Sequence, residues 1–336
     1  MSKILTVVGA TGIQGSSVVA ALLNNPTYTI RGVTRNTDSD KARALAAQGV
    51  QVVQANLDDL ESLKRAFDGS HAIFAVTNFF EPLALTSDIA TAMRTETQQG
   101  RNLADAAAAT AGLEHYIWSS LPNSSENTKG QADVCYFASK NAVDEHIRTD
   151  LPELWAKTTL VWFGWYAGNM GYPLFTPHPL ANFDPSSRDV VHLINVPGGT
   201  LIPMLGSTAI NPGLFVRAIL EQPAVTLPGK AVAGIVEYLS VEELVASYER
   251  TRAEAAGKSP GKTHVIEVSD DKYAEMWPVW GEALGTSHRY MEALPGQCMS
   301  SVHGEIEVLH RGDLAGLEGL VTTEQAFRDM AKATAV

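Results

Sequence analysis

No eighteen consecutive residues of this chain are apolar, so no segment reads as a membrane-spanning helix. Cysteine is scarce: Cys135 and Cys298 fit a reducing compartment rather than a disulfide framework. Basic runs are missing too. The 25 Lys and Arg stand against 37 Asp and Glu, a formal charge of −12, which makes direct nucleic-acid binding a poor expectation. His178, His192, His303 and His310 show no paired ligand spacing, so no metal is expected. Met1-Ser2-Lys3 runs straight into an apolar strand, so no signal peptide is expected and the expected location is cytoplasmic. Internal repeats and low-complexity tracts are also absent.

What is present is an ordinary globular composition, 45% hydrophobic and 18% charged over 336 residues, enough for one large or two modest domains. Short apolar runs alternate with helix-length segments through the first half. Strands are predicted at 4–8, 28–34, 50–54, 72–77, around 116–118 and at 159–163. Helices are predicted at 14–25, 38–48, 60–67, 86–111 and 133–148. This order implies parallel βαβ units and an α/β fold, a doubly wound parallel Rossmann sheet. Beyond Gly164 prolines and glycines crowd the chain and the alternation fades, with helices expected at 241–256, 271–285 and 323–333. The predicted division is a nucleotide-binding Rossmann domain over 1–165 and a smaller, irregular α+β substrate or lid domain over 166–336, some of whose segments rejoin the sheet.

The first strand leads at once into Gly9-Ala10-Thr11-Gly12-Ile13-Gln14-Gly15, and a helix follows. In that context the three glycines form a dinucleotide fingerprint. Gly9 allows a tight turn, Gly12 lets backbone N–H groups approach a pyrophosphate, and Gly15 lets helix and strand pack closely. NAD sites place Asp or Glu at the end of strand two to bind the ribose 2′-hydroxyl. Here the sequence is Val33-Thr34-Arg35-Asn36, with no acid and an arginine able to pair with a 2′-phosphate, so NADP(H) is the expected cofactor. Thr34 and Lys41 are possible helpers. Strand three closes on Asn56-Leu57-Asp58, where Asp58 has two readings: contact with the adenine amino group, or a cap on the next helix.

These segments, together with Ala75-Val76-Thr77-Asn78-Phe79-Phe80-Glu81, His115-Tyr116-Ile117-Trp118-Ser119-Ser120-Leu121-Pro122 and Lys140, resemble the NmrA-like group of atypical short-chain dehydrogenases. The likeness is specific through the first half and loose afterwards, where 269–285 resembles a late helix with an aromatic core. The resemblance implies a Rossmann fold, an added smaller domain, a preference for NADP(H), and cofactor contacts at Thr77, Asn78 and Phe79. The group contains both reductases and redox-sensing regulators without turnover, so membership does not choose between them. Two departures stand out. Tyr136-Phe137-Ala138-Ser139-Lys140 has the Tyr-x-x-x-Lys pattern of active dehydrogenases, where regulatory members often lack the tyrosine. In Ile210-Asn211-Pro212-Gly213 an asparagine replaces the group's usual acid.

Four residues apart on a helix, Tyr136 and Lys140 share a face. The ammonium of Lys140 would lower the tyrosine pKa and fit it to protonate a carbonyl as hydride arrives. Ser119 or, preferably, Ser120 would orient that carbonyl. Should Tyr136 face away, Lys140 serves alone, binding ribose or acting as acid/base. Phe80, Trp165, Tyr166 and Met170 are the expected substrate-lining residues, with plain packing as the other reading. Cys135 reads as a buried thiol, and Trp277 and Trp280 as core. Two functions remain: an NADPH-dependent reductase of an apolar ketone, enone or imine, or an NADP(H) sensor that acts through a protein partner.

Overall fold

The computed structural model describes residues 2–180 and 187–334. The alternating first half forms β1 (Lys3–Val8), β2 (Tyr28–Thr34), β3 (Gln51–Gln54), β4 (Ala72–Ala75), β5 (His115–Ser120) and β6 (Thr158–Phe163). The later strands are β7 (Trp165–Tyr166), β8 (His178–Pro179), β9 (Val190–Ile194), β10 (Leu201–Gly206), β11 (Lys230–Gly234), β12 (Glu237–Ser240), β13 (Thr263–Glu267) and β14 (Val308–Leu309). Eight of these make one sheet in the order β14-β11-β6-β5-β4-β1-β2-β3, each neighbouring pair parallel. This is the doubly wound sheet the sequence predicts. Its order reverses between β1 and β4, which opens a crevice at the carboxyl ends of the strands. Two three-stranded sheets, β12-β10-β7 and β13-β9-β8, build the irregular remainder.

Helices cover both faces of the main sheet, so β4, β5 and β6 are buried at every position, with no alternation of apolar and exposed polar residues. One face packs around Leu103, Trp118 and Val143, the other around Val18, Leu22 and Phe215. Among the described residues no helix is long and apolar enough to cross a membrane.

Two expected helices differ from the prediction. The 86–111 helix runs over Ile89–Ala108, and a separate, unexpected short helix, Phe80–Thr86, precedes it. Ser87 turns left-handed at φ 52°, and the Asp88 carboxylate accepts the Thr91 N–H, starting a new helix. Short polar side chains compete for local backbone groups in this way. The 271–285 segment ends at Met276. There Pro278 and Val279 form a γ-turn, with Val279 at φ 68° and the Trp280 N–H donating to the Pro278 carbonyl at 2.8 Å, before Trp280–Ala293 begins. The Pro/Gly-rich stretch also conceals a helix, Asn211–Glu221, which packs on the first helix, Ile13–Leu22.

Candidate functional site

The glycine loop is built for an anion. Gly9 sits at φ 65°, and the Gly12 N–H donates to its carbonyl at 2.8 Å. A Cβ on Gly15 would lie 2.2 Å from the Gly9 carbonyl oxygen, so only glycine lets helix and turn approach this closely. The helix that follows has no side-chain cap and no acid in its first turn, which leaves its amino end open to a phosphate. Gly12 and Ile13 are exposed beside it, and Thr11 is partly exposed. These residues fit a dinucleotide pyrophosphate. Gly15→Ala is expected to weaken nucleotide binding roughly tenfold or more, since forced overpacking costs about 1–3 kcal/mol. Calorimetry checks this, and undiminished affinity would remove the loop from the site. Gln14 Nε2 donates to the Tyr166 hydroxyl at 2.6 Å, tying the loop to β7, and burial pushes that phenol up to about 12.

At the adenosine end Arg35 is exposed and ion-paired with Glu81, a residue the sequence reading did not single out. Asn56 Oδ1 accepts the Asp58 N–H, and Asp58 itself accepts from Gln99 Nε2 at 2.9 Å. The capping alternative for Asp58 is corrected: Asp59 caps the next helix, its carboxylate accepting the Glu61 and Ser62 N–H groups.

Lys140 lies at the centre of a buried network. Its ammonium meets Glu96 Oε1 at 2.9 Å and Thr77 Oγ1 at 2.8 Å, and lies 5.2 Å from the centre of the Trp118 ring. Glu96, fully buried, also accepts from the Thr77 and Ser139 hydroxyls. Glu96 reaches this position because Gly100, one turn on, lets its helix approach Cys135–Asp150 closely; a Cβ there would meet Val143 Cγ2 at 2.5 Å. The third ammonium proton reaches only the Thr77 carbonyl, at a long 3.5 Å, which a better acceptor would replace.

The expected tuning of Tyr136 by Lys140 is not found. Burial pushes the phenol well above its ordinary value, with the Ser287 side chain opposing the rise only in part. Its ring packs against Phe79, Phe80 and Phe137, with centroids 5.9, 5.3 and 4.9 Å away. Phe80 stacks on Trp280 at 5.9 Å. Trp280, expected in the core, is 38% exposed, because the γ-turn separates it from Trp277. Of the other expected lining residues, Trp165 packs edge-on to Phe175, Met170 is buried, and Tyr166 is held by Gln14. Asn78 Oδ1 accepts the Phe80 N–H, and Phe79 is 2% exposed. Cys135 is part-buried, its thiol pushed up to about 11 by burial. Asn211, in place of the group's acid, is fully buried. Its Nδ2 donates to the Leu205 and Val321 carbonyls, which a carboxylate could not do.

Ser120 is committed elsewhere. Its hydroxyl donates to Asp144 at 2.6 Å, beside Trp118 Nε1 at 2.7 Å. Burial pushes the Asp144 carboxyl up to about 6 against these hydrogen bonds. A carboxyl raised in the folded state holds its proton more tightly there than in the unfolded chain. Its contribution is fully present below the unfolded value of about 4 and is lost as pH rises through the folded value. Relative to Asp144→Asn, the unsubstituted protein is expected to lose roughly 3 kcal/mol across that window. Urea unfolding of both proteins on either side of the window checks this; parallel pH profiles would exclude Asp144 as the source.

A family model described as the NmrA-like family matches residues 1–279. The chain belongs to the NmrA-like family. One relative, the NmrA-like family domain-containing oxidoreductase FrzB of a Cladobotryum species, is 29% identical over 271 residues, 77% of this chain and 76% of that one. Among solved structures, NmrA, a negative transcriptional regulator, superposes with a TM-score of 0.72 at 20% identity, covering 100% of this chain and 99% of its own. NmrA is also solved with NAD and with NADP. The Escherichia coli NADPH-dependent quinone oxidoreductase QOR2, solved with NADPH, gives 0.64 at 18% identity, covering 99% and 100%. At these identities the structures establish the NmrA-like fold and no more.

Proposed function

We propose that this NmrA-like chain is an NADPH-dependent reductase acting on a ketone, enone or imine of an apolar small molecule. The observation that carries the reading is Lys140: a buried ammonium at the mouth of β4, held by Glu96 and Thr77, on the same crevice as the open glycine loop. The relatives' description as oxidoreductases supports it. Bound NADPH supplies the hydride. The one Lys140 Nζ proton without a close acceptor is held for the substrate oxygen or nitrogen. The burial of Lys140, with the Trp118 ring beside its ammonium, limits the access of water to that proton. Arg35, in place of an acid, favours the 2′-phosphate.

The test is loss of the reduced-nicotinamide absorbance when the full chain meets NADPH and a panel of quinones, enones, aryl ketones and cyclic imines. Turnover of any member above the protein-free rate supports the reading. Tight NADPH binding with no turnover across the panel favours a sensor working through a protein partner. The mutual packing of Phe80, Tyr136 and Trp280, which occupies the aromatic end, is what recommends that second reading.

A further inference from the structure

The end of β2 carries no acid, yet the fold brings one to it. Glu81 follows Arg35 by 46 residues, at the start of the helix Phe80–Thr86, and its carboxylate is ion-paired with the Arg35 guanidinium. The two side chains are 66% and 41% exposed, so the pair stands where an arriving nucleotide meets it. Both are set from behind. Gln54 Nε2 donates to the Arg35 carbonyl at 3.1 Å, and the Asn78 side chain caps the Phe80 N–H at 3.2 Å.

We propose that Glu81 is a specificity-determining residue of the adenosine pocket, occupying Arg35 against a 2′-phosphate and offering an acceptor to a 2′-hydroxyl. This rests on the nucleotide-binding reading above. A guanidinium already engaged by a carboxylate must release it before gripping a phosphate with two N–H groups. The carboxylate left beside that phosphate then repels it. A ribose 2′-hydroxyl meets neither obstacle, since it can donate to the carboxylate while Arg35 stays paired. Glu81 therefore narrows the discrimination that Arg35 alone would impose, an example of selectivity set by a repulsive element.

The experiment titrates the full chain and its Glu81→Gln variant with NADPH and NADH, and with adenosine 2′,5′-bisphosphate and AMP as probes of the adenosine end alone. The expected result is a rise of about three- to tenfold in the NADPH-to-NADH affinity ratio, the upper part of the span for one solvent-exposed ion pair or one net hydrogen bond. The fragment pair should shift the same way. In an Arg35→Gln background the same substitution should shift the ratio the same way but by less, because the part that passes through the guanidinium is gone and only the direct action of the carboxylate on the 2′-group remains. An unaltered or lowered ratio in Glu81→Gln, or a full shift persisting without Arg35, overturns the inference while nucleotide binding stands. No binding of any probe by the unsubstituted chain overturns both.

Discussion

Lys140→Met is expected to reduce turnover by about two to four orders of magnitude, the usual contribution of a positioned proton donor, while Tyr136→Phe keeps turnover within about tenfold. The two residues share a helix face, but the fold gives them different neighbours. Lys140 meets a carboxylate and a hydroxyl at the sheet's carboxyl edge, whereas the Tyr136 ring packs among Phe79, Phe80 and Phe137. A phenol raised by burial, with no ammonium stabilising its anion, is a poor shuttle for protons. Single-turnover rates with pre-bound NADPH measure both variants at the chemical step. Equal rates for Lys140→Met and the parent, or a collapse in Tyr136→Phe with NADPH affinity intact, would restore the tyrosine as the proton donor.

Glu96→Ala is expected to lower stability by about 3–5 kcal/mol, because it leaves a buried ammonium without its counter-charge. The carboxylate is fully buried and its oxygens accept from Lys140, Thr77 and Ser139. Removing it unpairs three donors at once. Replacing the pair together, with Glu96→Leu and Lys140→Met, should recover most of the loss, since well-packed apolar side chains often match a buried ion pair. Urea midpoints at constant slope read both effects. A Glu96→Ala protein within about 1 kcal/mol of the parent would mean that water or another group already screens Lys140.

The parallel sheet and the glycine loop were legible because both are local: apolar runs of strand length, punctuated by Gly9, Gly12 and Gly15, specify them within some thirty residues. The acids of the site were not. Glu96 and Glu81 act on residues 44 and 46 positions away, through helix packing that no short window contains. One signal for Glu96 was present: Ala92, Glu96, Gly100 and Ala104 recur at helical spacing, and a lone carboxylate on such a buried stripe needs a partner. The late start at Ile89 and the break at Val279 were hidden because helical periodicity outweighed a single Ser-Asp pair and a single proline. The second mattered most, since it moved Trp280 from the core onto Phe80. Nothing in the local pattern of the 133–148 segment marks Asp144. Only the fold brings it beside Trp118 and Ser120.

The pairing of β6 with β11 along five residues, and of β11 with β14, joins the last third of the chain to the nucleotide-binding sheet. A gene fragment ending at Phe163 would therefore not yield a free-standing dinucleotide module. It would expose Leu160 and Trp162, with a row of unpaired amides and carbonyls, on an open flank where fragments could add to one another edge to edge. Swapping nucleotide modules between members of this family at that seam thus invites aggregation, and the natural seams lie where no strand of the main sheet is cut off from its neighbours.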